Sequence, residues 1–178
     1  MLDFIIVGQG LAGSILALQL INEGKSFIII DNQSSSCSLI AAGIVNPITG
    51  RKYVKSWNYD KLSDYALGFY NKWQIKFDDE FYIPLKIGKV ISSVKDKNDF
   101  FLKIEDNHFN KNLIKPLPNH IKYNKNDIYI LNGFRLNTLK FINNCKDYFT
   151  RVNTFLSDEF KYENILINDK NVVYKNIK

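Results

Sequence analysis

The stretch Asp3-Phe4-Ile5-Ile6-Val7-Gly8-Gln9-Gly10-Leu11-Ala12-Gly13, followed by Phe27-Ile28-Ile29-Ile30-Asp31, decides the fold. Asp3–Val7 is a continuous apolar run containing β-branched residues, which predicts a strand buried on both faces, as in a parallel sheet. Leu11 to Glu23 is apolar on nearly all sides through Leu11, Ile15, Leu16, Leu18, Leu20 and Ile21, and predicts a buried helix stopped by Gly24. Phe27 to Ile30 predicts a second buried strand, ending in Asp31. Together they form one βαβ unit. Its first junction is a complete GxGxxG at Gly8, Gly10 and Gly13. The first glycine makes a tight turn, the second admits a diphosphate close to the backbone, and the third lets helix and strand pack closely. The free N–H groups and dipole at the helix start favour the diphosphate. Asp31, at the end of the second strand, is placed to accept hydrogen bonds from ribose hydroxyls, and its charge disfavours a 2′-phosphate. A strand-end Asp also commonly caps the loop that follows.

Beyond this unit, Asn32 to Ser38 reads as a polar loop and Ala41 to Gly50 as a turn-rich stretch that begins apolar. Leu62, Tyr65, Ala66, Phe69, Tyr70 and Trp73 fall on one face of a helix, with Asn58 as candidate N-cap. Short strands are expected at Phe81–Ile83 and Lys89–Ser93, a helix at Asp96–Asp106, and a connection rich in Pro and Asn over Lys115–Asn126. Asp127–Leu131 and Gly133–Leu136 read as a strand pair, and Thr138–Phe149 as a last helix capped by Asn137. The tail, Val152 to Ile177, predicts two or three strands with a turn at Asn168-Asp169. The expected fold class is α/β. An incomplete Rossmann-type βαβ core over 1–76 and 136–178 carries part of an inserted mixed-sheet domain over 77–135.

The 178 residues carry a net charge of +6, with 46% hydrophobic residues, enough apolar content for a folded core. The positive charge is nearly all scattered Lys. Only Arg51, Arg135 and Arg151 are arginine, and no basic run exists, so nucleic acid is not an expected partner. Cys37 and Cys145 are far apart, with His108 and His120 the only histidines. That composition offers neither a disulfide framework nor a metal site. Leu2–Val7 is too short to span a membrane, no basic segment precedes it, and a cytoplasmic location is expected.

The motif alone does not separate FAD from NAD. The string Ser38-Leu39-Ile40-Ala41-Ala42-Gly43-Ile44-Val45-Asn46-Pro47 resembles the second fingerprint of the D-amino-acid oxidase, glycine oxidase and sarcosine oxidase superfamily. So do Ile48-Thr49-Gly50-Arg51-Lys52 and Gly133-Phe134-Arg135-Leu136-Asn137. The resemblance is strong only over residues 1–60. It implies FAD as cofactor and flavin-dependent oxidation of an amine or amino acid. It places the FAD contacts on Gly8, Gly10, Leu11, Ala12, Gly13, Asp31, Asn32, Ser38, Ala42, Gly43 and Ile44, with an adenine-side contact near Phe160. Small residues at Ala41–Gly43 suit a backbone lying against a flat ring, and equally suit close helix packing. Arg51 and Lys52 are the candidate cations for a flavin or a substrate carboxylate, and are equally read as solvated loop charges. Trp57, Tyr59 and Trp73 read as packing residues.

Members of that superfamily are considerably longer. They continue with a further apolar strand and a second part of the substrate domain. No residue here is therefore assigned as a catalytic acid, base or substrate clamp. The expectation is a truncated or split oxidoreductase, completed by a second chain and holding FAD weakly or not at all alone. The alternatives are a non-catalytic nucleotide-binding or interaction module and, less favoured, a NAD-dependent enzyme.

Overall fold

Two β-branched runs bracket a helix, and the computed structural model shows them paired in parallel. It describes residues 2–34, 36–49, 53–106, 113–114, 128–168, 171–175 and 177. In chain order the elements are β1 (Phe4–Val7), α1 (Leu11–Asn22), β2 (Phe27–Asp31), α2 (Cys37–Ile40), β3 (Ile44–Val45), β4 (Ile48–Thr49), β5 (Val54–Lys55) and α3 (Tyr59–Phe77). There follow β6 (Tyr82–Val90), α4 (Val94–Asp106), β7 (Leu113–Ile114), β8 (Ile128–Leu136), α5 (Thr138–Arg151), β9 (Phe155–Ser157), a 3-10 turn (Tyr162–Asn164), β10 (Ile165–Ile167) and β11 (Val172–Tyr174).

The chain divides into two compact units, residues 1–41 with 138–178, and residues 42–137. Residues 42–76 fall with 77–137 in the second of these units. The reason lies in the pairing: β3 joins β8 through Ile44 opposite Arg135, and α3 packs on β6 through Tyr70 against Tyr82 (ring centroids 4.7 Å apart).

In the first unit, β1, β2 and β9 form a parallel sheet in that order, with Phe4 opposite Phe27 and Asp31 opposite Ser157. The expectation of burial on both faces holds for β2, where Ile29 and Ile30 are fully buried. It fails for β1, whose Phe4 and Val7 are exposed. β1 is the terminal strand of this sheet, so among the described residues no strand lies on its other side. α1 ends as expected at Gly24 (φ 64°). Lys25 N–H donates to Leu20 O (2.9 Å) and Gly24 N–H to Ile21 O (3.2 Å), the two bonds that stop a helix with a left-handed residue. α5 stops in the same way with Asn153 (φ 56°) in the glycine's place, and Thr154 O then accepts from Ile29 N–H to start β9. Phe141, Ile142, Cys145 and Phe149 form the buried stripe of α5. β10 and β11 form the expected tail hairpin as a sheet of their own, closed by Asn168 N–H to Asn171 O at 2.9 Å; the turn position Asp169 lies outside the described residues.

In the second unit, each expected pair of short strands is one nine-residue strand. β6 runs through Pro84, and β8 through Gly133. Among the described residues β6 pairs only with β8, so the missing N–H of Pro84 lies on an edge strand and disrupts no interior ladder. A Cβ on Gly133 would lie 2.6 Å from both Ile87 Cδ1 and Val45 O, so glycine serves close strand approach there and not a turn. On α3 the buried residues are Tyr59, Phe69, Tyr70 and Trp73, while Leu62 and Tyr65 of the expected stripe are exposed. Asn58 precedes α3 with φ 51° and makes no side-chain cap bond, contrary to its expected role. Phe100 of α4 is buried with Ile48, Tyr53, Ile91 and Leu131.

Candidate nucleotide site

The glycine loop is shaped by what surrounds it. Gly8 leaves β1 with φ 92°, a conformation that L side chains rarely adopt, and its N–H donates to Ile30 O at 2.9 Å. A Cβ on Gly13 would lie 2.0 Å from Gly8 O and 3.4 Å from Ile6 Cγ2, so α1 crosses the end of β1 this closely only because position 13 lacks a side chain. Gly10 occupies the N-cap of α1 and offers no side-chain cap.

A helix start leaves its first N–H groups without helical acceptors. Here Gln9 N–H donates to Asp31 Oδ2 (2.7 Å), Leu11 N–H to Ser38 Oγ (3.2 Å), and Ser14 N–H to Gly10 O (2.9 Å). Among the described residues, no protein acceptor takes the N–H of Gly10, Ala12 or Gly13. The first turn of α1 contains no acidic residue to complement its positive end. Three open donors at the positive end of a twelve-residue helix suit an anionic diphosphate. Ser38, brought over the loop by α2, adds a hydroxyl that can donate to the same anion.

Asp31 does two things. Oδ2 holds Gln9 N–H, and Oδ1 accepts from Gln33 N–H at 2.6 Å, which is the loop-capping role. Each oxygen keeps a lone pair for a ribose hydroxyl. Asn32 is exposed and its Oδ1 accepts from Ser34 N–H at 3.0 Å. Beside them stands a group that the sequence reading missed. Gln33 donates through Nε2 to Ser157 Oγ (2.5 Å) and accepts from Lys146 Nζ. Gln33 lies more than a hundred positions from both Ser157 and Lys146 in sequence and reaches Ser157 because β9 pairs with β2, so no local signal marks the group.

The first strand after α5 is Phe155–Ser157. Phe160, the expected neighbourhood of an adenine-side contact, lies three residues beyond that strand and stacks on Tyr174 (centroids 4.6 Å, 17° between planes). The structure therefore gathers Gly8, Gly10, Leu11, Gly13, Asp31 and Ser38 in the first unit.

Ala42, Gly43 and Ile44 belong to the second unit. Gly43 has φ 66°, a Cβ there would lie 1.8 Å from Leu136 O, and its carbonyl accepts from Leu136 N–H at 2.8 Å. Close approach to β8 is by itself a sufficient reason for glycine at this position. Ala42 is exposed, and Ile44 is half-exposed opposite Arg135. Arg51 and Lys52 lie outside the described residues. Among the described residues no cluster of His, Cys, Asp or Glu could hold a metal ion, and no helix is long and apolar enough to cross a membrane.

A parallel strand order, a glycine-rich strand-to-helix turn with open donors and an acid closing the second strand define a dinucleotide-binding unit. Residues 3–60 match the model of the FAD binding domain family, and the dinucleotide is FAD. No curated protein sequence matches the chain. Among solved structures, iminodiacetate oxidase from a Chelativorans species superposes with a TM-score of 0.64 at 16% identity, over 94% of this chain and 49% of that one. L-amino acid deaminase from Proteus vulgaris gives 0.70 at 12%, over 98% and 45%, and that from Proteus myxofaciens, in complex with anthranilate, gives 0.67 at 12%, over 97% and 43%. The chain spans less than half the length of each of these structures. The resemblance expected from sequence thus holds in the fold and the cofactor.

Proposed function

We propose that this chain supplies the FAD-holding part of an oxidoreductase that oxidises amines or amino acids. The observation that carries the reading is the set of three open N–H donors at the start of α1, joined to Asp31 at the end of β2. The solved structures named above, an oxidase and deaminases of amino-acid-like compounds, share the fold over nearly the whole chain and support the reaction class.

In this reading Gly10, Ala12 and Gly13 bind the diphosphate through their N–H groups, Ser38 adds its hydroxyl, and Asp31 accepts the ribose hydroxyls. Leu11 and Asn32 flank these contacts. Backbone at Ala42, Gly43 and Ile44 lies along the flavin. Arg51 and Lys52 are candidates to hold a substrate carboxylate, which cations suit. Bound FAD supplies the acceptor for a hydride, while the protein orients the substrate and excludes water. Further polypeptide, in the same or a second chain, supplies the remaining substrate-facing residues. Two free cysteines suit a reducing compartment such as the cytoplasm.

The test is to produce the chain together with the reading frame that follows its coding sequence and to reconstitute it with FAD. The expected result is flavin absorbance that co-elutes with protein and bleaches anaerobically on adding an amine or amino acid. Protein that takes up no flavin refutes the cofactor assignment. Flavin that is bound but not reduced by any amine or amino acid refutes the reaction class.

A further inference from the structure

We infer that Gln9 is a positioning residue for the diphosphate: its side chain fastens the glycine loop to α5, which fixes the direction of the loop's open N–H groups. The inference rests on the diphosphate reading of the loop and adds to it a residue outside the motif's glycines.

Gln9 stands between Gly8 and Gly10, where the backbone has no other side chain to hold it. Only 6% of it is exposed. Its Nε2 donates one proton to Ser14 Oγ (3.1 Å) and the other to Ile142 O (3.0 Å), so both donors are satisfied inside the protein. Ser14 is fully buried one turn into α1. Gln9 N–H is separately held by Asp31. The residue is therefore pinned at its backbone to the end of β2 and at its side chain to α1 and α5.

A diphosphate needs donors already aimed at it, because ordering a glycine loop at the moment of binding costs affinity. An apolar residue at position 9 would remove both side-chain bonds yet leave the Ile142 carbonyl inside a helix. The change should loosen the loop more than the fold.

The experiment compares the 178-residue chain with Gln9→Leu and Ser14→Ala by chemical-shift titration, using ADP and adenosine as probes. Amide hydrogen exchange is followed at Gln9 and Leu11 and, as reference, in β1 and β2. Gln9→Leu should weaken ADP about tenfold and leave adenosine within about twofold, because adenosine lacks the diphosphate. Exchange at Gln9 and Leu11, whose N–H groups are bonded to Asp31 and Ser38, should quicken about tenfold while β2 is unchanged. Ser14→Ala should act in the same direction by less, since Gln9 retains Ile142 O. Unchanged ADP affinity and loop exchange in Gln9→Leu overturn the inference. So does equal weakening of ADP and adenosine with faster exchange throughout the sheet, which marks a merely structural residue. If the unsubstituted chain shows no ADP shifts at Gly10–Gly13, the diphosphate reading itself fails and takes the inference with it.

Discussion

Replacing Gly13 with alanine tests the site and the fold together. The added Cβ would sit 2.0 Å from Gly8 O, and ordinary contact begins near 3.4 Å, so α1 and β1 must separate by about 1.4 Å at their crossing. The obstacle is backbone, which cannot rotate away. Overpacking of this kind costs about 1–3 kcal/mol, and the rigid neighbour places Gly13→Ala at about 3. With a urea slope of about 2 kcal/mol/M, the unfolding midpoint of the β1–β2 unit drops by about 1.5 M. The same displacement carries the N–H groups of Gly10 and Ala12 well beyond the roughly 0.5 Å tolerance of a preorganised site. Loss of one charge-assisted bond to a diphosphate, about 1.5–3 kcal/mol, weakens ADP by about ten- to a hundredfold. Urea unfolding followed by β2 amides and an ADP titration measure the two effects. Gly24→Ala is the control: it replaces a glycine of positive φ (64°), but its Cβ would meet nothing within 4 Å. It should cost about 1 kcal/mol through the backbone alone and leave ADP affinity unchanged. A Gly13→Ala chain that unfolds at the unsubstituted midpoint, or Gly24→Ala matching its cost, refutes the steric argument.

Three other expectations follow from the geometry. Cys37 is exposed, whereas Cys145 is fully buried, which pushes its thiol well above the ordinary range; a thiol reagent should modify one cysteine in the folded chain and the second only in denaturant. Burial, then the bond to Asp96, pushes Tyr53 to about 12, and burial with nearby Tyr59 does the same for Tyr82. Both phenols are therefore held neutral by the fold. Their contribution is complete below the unfolded value of 10.0 and is lost as pH rises to about 12, so absorbance at alkaline pH should show two tyrosines ionising only as the second unit unfolds. The Tyr174 hydroxyl accepts from Lys161 N–H (3.0 Å) and donates to Glu159 O (3.2 Å), and the residue is fully buried. Tyr174→Phe should cost about 1–2 kcal/mol and Tyr174→Ala about 3–5, read by urea unfolding.

The first βαβ unit was legible because its signals are local. A β-branched run, three glycines at fixed offsets and a strand-end acid each constrain backbone within a few residues. Gly24 and the buried stripe of α5 were readable for the same reason. The errors have one physical source, pairing across long sequence separation. Pro84 and Gly133 look like breaks until β6 is seen at an edge and β3 is seen against β8. Leu62 and Tyr65 have helical spacing, yet both are exposed, while the later turns of α3 pack on β6. In the site, Asp31 was readable as an acid at a strand end that also caps the loop after it, but the Gln33–Ser157–Lys146 group depends on β9 and α5.

The first unit is assembled from two pieces of chain, and Thr138 Oγ1 donates to Ala41 O at 3.1 Å where the pieces meet. During synthesis β1, α1 and β2 emerge early, but α5 and β9, which cover α1 and extend the sheet, follow only after residues 42–137. At about 5–20 residues per second, the ribosome imposes a wait of roughly 5–20 s. Throughout it Ala17, Leu18 and Ile29, all fully buried in the finished unit, have no partner from the later piece. The nascent nucleotide site is thus sticky before it is functional, and a chaperone that recognises short apolar segments would meet it in that interval.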